Sequence, residues 1–223
     1  MIPVYHDFTE QRILIFGGGP IGARKARRFS SEATVIVISP AFAEDNFATA
    51  ELVRAAPSPP DVREWIARAD PALVVTATDD NGLNDSIASI THENKVLLNR
   101  ADRSEANSDD DRGSHTAYDV MIPATVEDSP VQVAISTGGR SPALAKYLRE
   151  QIETDITSAG AMATLTADLR AELRERDCSP SVRRDAIRAV VRDPDVWKGL
   201  RTEEINPRQE ATRVVRKIMG DER

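Results

Sequence analysis

Hydrophobic positions between residues 12 and 98 occur as short apolar runs, and segments in which apolar residues recur at helical spacing separate most of them. Runs rich in β-branched residues are typical of buried strands, and strands that alternate with helices predict an α/β fold with a Rossmann-type parallel sheet. The predicted strands cover residues 12–16, 34–38, 51–55, 73–77 and 96–98, and the predicted helices cover 20–30, 61–68 and 82–93.

The pattern changes after residues 103–117, a polar segment whose acidic run is typical of a solvated loop. Residues 119–126 and 130–136 predict an antiparallel pair of strands, which would be marginal alone and needs another surface, such as its copy in a second subunit. From residue 143 onward the pattern is helical. Two apolar faces of these helices are predicted to lie in the core: Leu144, Leu148 and Ile152, and then Met162, Leu165, Leu169 and Leu173.

A glycine triplet stands where the first predicted strand meets the first predicted helix. Gly17, Gly19 and Gly22 fit the spacing G-x-G-x-x-G. In a dinucleotide-binding unit the first glycine allows the turn, the second lets the backbone approach the pyrophosphate, and the third lets helix and strand pack closely. The free N–H groups at the helix N-terminus would bind the phosphates. The alternative is a glycine-rich turn with no ligand, but the position between strand and helix favours the binding site.

Two positions at strand ends bear on the cofactor. Many NAD-binding folds place an acid at the end of the second strand to bind the ribose hydroxyls, whereas this chain has Ser39 there. A hydroxyl can also bind ribose, and no arginine occurs within the next few positions to favour the 2′-phosphate of NADP, so NAD is the expected cofactor. Thr78, after the fourth strand, is a further candidate contact, while Asp79 and Asp80 suit a helix cap.

A second glycine pair, Gly138 and Gly139, precedes the helix that is predicted from residue 143. Ser141 suits the N-cap of that helix and Pro142 suits its first turn. The pair is either a second anion-binding turn or a plain turn followed by a good cap, and the residues themselves do not separate the two.

Composition narrows the functional classes. A formal net charge of −7 argues against a general nucleic-acid-binding protein, and no apolar run approaches the roughly 20 residues that a membrane helix needs. The N-terminal segment lacks the basic and apolar regions of a secretory signal, so we expect a cytoplasmic protein. The single cysteine, Cys178, cannot form an internal disulfide, and no Cys/His cluster has zinc spacing, so no resident metal site is expected.

Several segments in combination resemble the precorrin-2 dehydrogenase family, which includes the N-terminal half of sirohaem synthase and the bifunctional dehydrogenase/sirohydrochlorin ferrochelatases. These segments are Gly17–Gly19 with Lys25-Ala26, Ala77–Asp80, Asn99 with Asp102, Ile122–Ala124, and Ser136–Pro142. The resemblance covers residues 1 to about 175 and implies homodimers with three parts. We place a NAD-binding Rossmann domain at residues 1–117, a small β-containing dimerisation region at 118–150 and a helical C-terminal domain at 151–223.

The resemblance implies an oxidoreductase that converts precorrin-2 to sirohydrochlorin with NAD, in the biosynthesis of the tetrapyrrole sirohaem. Some members also insert ferrous iron as a substrate. Pro20, Ile21, Ser39, Pro40 and Ala41 match the family's cofactor contacts. Asp102 matches the carboxylate regarded as catalytic, and it would take the proton that leaves the macrocycle.

The carboxylates of precorrin-2 require cations and helix N-termini in the pocket. The nearest candidates along the chain are Arg100, Arg103, Arg140, Lys146 and the turn residues Ser136, Thr137, Gly138 and Gly139. Three features depart from the family pattern. The segment between Asp102 and Pro123 is longer than usual, and Val120 stands where an aromatic residue is expected shortly before Pro123. Thr137 replaces the second serine of the usual Ser-Ser-Gly-Gly turn. These departures bear on the substrate side and on iron insertion more than on the cofactor site.

Two other functions stay open at this point. The chain would serve as a NAD-sensing regulatory Rossmann module without catalysis if it binds NAD and needs no base at Asp102. It would alternatively be a Rossmann dehydrogenase for another small acid. Turnover of precorrin-2 with NAD separates all three hypotheses.

Overall fold

The structure is a computed structural model that describes residues 2–101, 116–202 and 204–220. The chain divides into two compact units, Met1–Ile122 and Pro123–Arg223. Each unit has its own hydrophobic core. Across these described ranges, no helix is both long enough and apolar enough to span a membrane.

The described part of the first unit contains a five-stranded parallel sheet with the strand order β3-β2-β1-β4-β5. The strands are β1 (Arg12–Phe16), β2 (Thr34–Ser39), β3 (Glu51–Arg54), β4 (Leu73–Thr76) and β5 (Leu97–Arg100), and the helices are α1 (Pro20–Phe29), α2 (Pro59–Ala69) and α3 (Asn81–Glu93). The predicted Rossmann-type sheet is confirmed, with boundaries that differ by one or two residues. Because the order changes direction at β1, the ends of β1 and β4 form the switch point where open α/β sheets bind ligands.

Both faces of this sheet are covered. Alternate residues of β1, such as Leu14 and Phe16, pack against α2 and α3, while Ile13 and Ile15 pack against α1. Residues 13–16 are therefore all fully buried. A strand buried on two faces has no polar alternation, which explains why the sequence shows continuous apolar runs.

The chain segment that follows the undescribed residues 102–115 runs beside β5. The N–H of Leu98 donates to the carbonyl of Tyr118 (2.9 Å), and the N–H of Val120 donates to the carbonyl of Leu98 (2.8 Å). Nε2 of His92 also lies 2.8 Å from Oδ1 of Asp119. The prediction of one strand over 119–126 is therefore wrong at its start, because these residues find partners in β5 and α3 that periodicity cannot indicate.

The second unit combines a hairpin with helices. The antiparallel pair is β6 (Ala124–Asp128) and β7 (Val131–Ile135), and the helices are α4 (Pro142–Asp155), α5 (Ala159–Glu175), α6 (Pro180–Arg192), α7 (Pro194–Thr202) and α8 (Pro207–Met219). The predicted hairpin and helical tail are confirmed. The apolar face formed by Met162, Leu165, Leu169 and Leu173 is buried, as predicted.

The other predicted apolar face behaves differently. No residue of α4, which is described along its whole length, is buried in the single chain. Leu144 is 47% exposed and Tyr147 is 57% exposed. The prediction that Leu144, Leu148 and Ile152 lie in the core is therefore wrong for the chain by itself, since an apolar stripe does not specify the surface that covers it. A separate region at 118–150 stays a prediction.

Candidate functional site

The glycine turn after β1 is held between the ends of β2 and β4. The N–H of Gly17 donates to the carbonyl of Ile38 (3.0 Å), and the N–H of Ala77 donates to the carbonyl of Phe16 (2.8 Å). Gly17 has a φ of +123°, and a Cβ at this position would lie 2.3 Å from the carbonyl oxygen of Ala77. Backbone conformation and space both require glycine here.

Gly18 is a further constrained residue, and sequence reasoning missed it. A Cβ on Gly18 would lie 2.3 Å from the carbonyl oxygen of Ala41 and 2.8 Å from Cβ of Ser39. Its own carbonyl accepts a hydrogen bond from the N–H of Ala43 (2.8 Å). The G-x-G-x-x-G spacing treats this position as variable, so the only signal was that it forms an unbroken triplet with its neighbours. The turn therefore packs directly against the loop that follows β2.

Gly19 and Gly22 have opposite environments. A Cβ on Gly22 would lie 1.9 Å from the carbonyl oxygen of Gly17, so close packing of α1 on the turn requires this glycine. A Cβ on Gly19 would meet no described atom within 4 Å. Gly19 is the N-cap of α1, and among the described residues no side chain caps this helix and no acid lies in its first turn. Since Pro20 has no N–H, the amides of Ile21 and Gly22 are the first available to an anion.

This open, uncapped helix N-terminus beside a glycine turn fits the pyrophosphate of a dinucleotide. The backbone approaches the free space without a side chain, and the positive end of the helix dipole points toward it. Ile21 is 40% exposed at the same end of the helix. The residues present thus supply the backbone donors that the pyrophosphate of a dinucleotide needs.

Thr78, the candidate after β4, is held by a residue that sequence reasoning did not identify. Oγ1 of Thr78 donates to Oδ1 of Asn84 (2.7 Å), and Nδ2 of Asn84 donates to the carbonyl of Thr78 (2.9 Å). Asn84 is completely buried. Asp80 accepts from the N–H of Leu83 (2.9 Å) and so is the helix cap that was expected of this segment. In the sequence, the signal for this role of Asn84 was a polar residue on the apolar face of a predicted helix.

Ser39 lies at the end of β2, next to the glycine turn. Ser39 is only 7% exposed, whereas Pro40 and Ala41, which follow it, are exposed. The carbonyl of Ser39 accepts from the N–H of Ala55 (3.1 Å). The predicted cofactor positions at the ends of β1, β2 and β4 therefore occupy the same edge of the sheet.

Lys25, on α1, carries a perturbed side chain. Burial, together with the nearby charges of Arg24 and Arg28, lowers the pKa of Lys25 to about 8 from its ordinary value of 10.5. The charged form of Lys25 near neutral pH therefore costs the folded protein free energy.

The predicted residues after β5 are only partly described. Asp102 and Arg103 lie outside the described residues. Nη1 of Arg100 lies 2.9 Å from Oδ1 of Asp85 on α3, so its charge is already paired within the first unit. Nδ2 of Asn99 donates to the carbonyl of Val120 (2.9 Å), which ties β5 to the segment beside it.

In the second unit, the glycine pair forms a turn stabilised by side chains. Gly138 has a φ of +59° and Gly139 has a φ of +73°, both in the left-handed region. The N–H of Gly138 donates to Oγ of Ser136 (3.1 Å), and the N–H of Ser141 donates to Oγ1 of Thr137 (3.2 Å). The serine and threonine of this turn therefore hold its backbone in place.

The helix that follows this turn differs from α1 because it has a side-chain cap. Oγ of Ser141 accepts from the N–H of Leu144 (3.3 Å). Arg140 is exposed, and Nζ of Lys146, also exposed, lies 3.9 Å from Oε1 of Glu150. The turn is therefore followed by a capped helix, which was one of the two alternatives that the sequence left open for it. Arg140 and Lys146 both lie on the surface of the described unit.

Across residues 2–101, 116–202 and 204–220, no group of three His, Cys, Asp or Glu side chains could hold a metal ion.

These features define a Rossmann-type dinucleotide-binding domain followed by a hairpin and a helical unit. A family model for NAD(P)-binding domains matches residues 4–109, and a model described as sirohaem biosynthesis protein, central, matches residues 128–154. The chain belongs to the precorrin-2 dehydrogenase family. It is 32% identical over 207 residues to the precorrin-2 dehydrogenase of Methanosarcina barkeri, covering 89% of this chain and 86% of that protein.

Longer relatives and a solved structure agree with this assignment. The siroheme synthase of Azotobacter vinelandii is 34% identical over 178 residues, which cover 78% of this chain but only 35% of that protein. The solved structure of SirC, a precorrin-2 dehydrogenase, matches 97% of this chain and 100% of its own, with a TM-score of 0.67 and 20% sequence identity. At that identity the structural match shows a shared fold.

Proposed function

We propose that this protein is an NAD-dependent oxidoreductase that converts precorrin-2 to sirohydrochlorin in siroheme biosynthesis. The observation that carries the proposal is the similarity to a precorrin-2 dehydrogenase over 86% of that protein's length. The uncapped N-terminus of α1 at Gly19 supports it, because free amides at a helix N-terminus bind the pyrophosphate of a dinucleotide. A NAD-sensing module without catalysis is less favoured, since the relatives named here are enzymes.

The residues of the first unit have distinct tasks toward the cofactor. NAD supplies the hydride acceptor. Gly17, Gly18 and Gly19 give the backbone a path close to the pyrophosphate, and the amides of Ile21 and Gly22 would bind it. Ser39 would bind the ribose hydroxyls at the end of β2, with Pro40 and Ala41 beside it. Thr78, fixed by Asn84, would contact the cofactor from the end of β4.

Asp102 is proposed as the base. It follows β5 by two positions, and the C-terminal ends of parallel strands are the edge where such sheets bind ligands. Its carboxylate takes the proton that leaves the macrocycle when the hydride departs. The substitution Asp102→Asn is expected to lower kcat by about 100-fold or more while the Kd for NAD stays unchanged. An unchanged kcat would remove this assignment.

The substrate side is proposed to use cations and the turn of the second unit. Precorrin-2 is a polycarboxylate, so Arg140, Lys146 and the hydroxyls and amides of Ser136–Gly139 would bind its side chains. Arg100 would contribute if substrate displaces Asp85 from its guanidinium, as carboxylate exchange is inexpensive at a partly exposed pair.

The direct test incubates the purified protein with precorrin-2 and NAD and follows the absorbance of sirohydrochlorin and NADH together. Equal formation of both products is expected. Binding of NAD without turnover would indicate the sensing module, and turnover of a different small acid would indicate another dehydrogenase. The relatives named siroheme synthase make ferrous-iron insertion the second activity to test, by adding Fe²⁺ to sirohydrochlorin in the same preparation.

We also infer that the protein is a homodimer. The supporting observation is the exposure of α4, an amphipathic helix whose residues are all at least partly exposed in the single chain. The exposed residues include the large apolar side chain of Leu144 and the aromatic ring of Tyr147. A second copy would cover this face, since such a patch is unfavourable in water. The expected cytoplasmic location stays a prediction.

A further inference from the structure

The end of β2 has no acid to bind the ribose of NAD. Ser39 occupies the last position of the strand, and the exposed residues Pro40 and Ala41 follow it. In dinucleotide-binding folds an Asp or Glu at this point binds the 2′-hydroxyl of NAD and repels the 2′-phosphate of NADP. The end of β2 therefore lacks the acid that excludes NADP in such folds.

The neighbouring strand brings an arginine to the same point. β3 pairs with β2 in parallel, and Arg54 is the register partner of Ser39. Nη1 of Arg54 donates to the carbonyl of Pro40 at 3.0 Å. The arginine that is missing from the residues directly after β2 is thus supplied from a later part of the chain by strand pairing.

Two contacts hold the Arg54 side chain at this place. Besides its hydrogen bond to Pro40, its Cζ lies 5.6 Å from the centre of the Phe42 ring, which is the geometry of a cation–π contact. Within the described residues, no carboxylate pairs with Arg54. A guanidinium has five N–H donors, so the Pro40 bond leaves most of them available.

We propose that Arg54 forms a subsite for the 2′-phosphate of NADP, so that the protein accepts NADP as well as NAD. The guanidinium offers the planar, bidentate donor pair that a phosphate monoester prefers, and its position beside Ser39 is where the 2′-substituent of a bound adenosine ribose lies. The proposal rests on the proposed function in one respect only, because it requires that a dinucleotide bind at the glycine turn.

The experiment measures Kd by calorimetry for NAD, NADP and the fragment pair adenosine 5′-phosphate and adenosine 2′,5′-bisphosphate. For the wild type, NADP is expected to bind at least as tightly as NAD, and the bisphosphate more tightly than the monophosphate. Arg54→Gln is expected to raise the ratio of the NADP Kd to the NAD Kd at least tenfold. Arg54→Lys, which keeps the charge but loses the planar fork, is expected to restore part of the preference.

The matched control is Arg27→Gln. Arg27 is an exposed arginine that, like Arg54, donates to a backbone carbonyl (Asn46, 2.6 Å), but it lies in the last turn of α1. The control is expected to leave the ratio unchanged. Binding of NAD with at least tenfold weaker binding of NADP by the wild type would overturn the subsite alone. Equal effects of Arg54→Gln on both dinucleotides would also overturn it, and failure of both to bind would remove the cofactor site and the subsite together.

Discussion

Asn84 clamps Thr78 through both ends of its carboxamide, with bonds of 2.7 Å to the hydroxyl and 2.9 Å to the carbonyl. Because the carbonyl of Ala77, one residue earlier, lies against Gly17, this clamp also fixes the loop against the glycine turn. Asn84 is itself completely buried, so we expect it to act on the cofactor only through Thr78. It is a positioning residue that joins α3 to the cofactor edge of the sheet.

Replacement of Asn84 should therefore weaken cofactor binding. Asn84→Ala leaves the carbonyl and hydroxyl of Thr78 without their buried partner, which we expect to cost about 1–3 kcal/mol of stability and to raise the Kd for NAD about tenfold. Calorimetry below the melting temperature measures the Kd. The control is Thr91→Val, which removes another fully buried hydrogen bond of α3, from Oγ1 to the carbonyl of Ile87 (2.7 Å). Equal losses of NAD affinity in both variants would show that α3 acts only through stability.

The glycines of the turn should separate binding from folding. Gly19→Ala adds a methyl group into open space, so its free energy of unfolding should change by less than about 1 kcal/mol, while the Kd for NAD rises at least about tenfold. Gly18→Ala instead places a Cβ 2.3 Å from the carbonyl of Ala41 and should lose stability by about 1–3 kcal/mol. Thermal unfolding with and without NAD measures both quantities. Wild-type affinity in Gly19→Ala would place the pyrophosphate elsewhere.

Lys25 should make stability depend on alkaline pH. Its folded pKa is about 8 and its ordinary value is 10.5, so between these values the unfolded chain holds a proton that the folded protein has lost. The free energy of unfolding therefore rises with pH across this window, and below it Lys25 lowers that free energy by about 3 kcal/mol. Lys25→Met should raise the melting temperature at pH 7 and reduce the gain between pH 8 and 10.

A second variant isolates the cause of that shift. Arg24→Gln removes one of the charges that lower the pKa of Lys25, so the alkaline rise should shrink but persist, because burial is the larger cause. Melting temperatures of the wild type and both variants, measured at the same series of pH values, test whether burial contributes more than Arg24 to the pKa shift. Identical pH profiles for the wild type and Lys25→Met would contradict it.

The exposed face of α4 should decide the oligomeric state. Tyr147→Glu puts a charge on this face, and light scattering is expected to show the mass of one chain instead of two. Ile218→Glu is the control, since Ile218 is also apolar and 43% exposed but lies on α8. A single-chain mass for the wild type would remove the dimer proposal.

Local pattern determined much of the fold. The runs around Leu14 and Val74 predict buried parallel strands because helices cover both faces of the sheet, which leaves no position for a polar side chain. The glycine turn was visible for a similar reason, since at Gly17 no side chain fits. The face from Met162 to Leu173 was also predictable, because its neighbours in the core are helices of the same unit.

Only the tertiary structure decided which residues from distant parts of the chain come into contact, because periodicity concerns each segment by itself. Strand register puts Arg54 beside Ser39, and helix packing turns Asn84 toward Thr78, so the cofactor edge includes two residues that no local motif contains. Residues 118–120 pair with β5 for the same reason. The sequence by itself therefore determined the elements and the glycine turn, because these depend on near neighbours, whereas the polar residues around that turn depend on which strands and helices become adjacent.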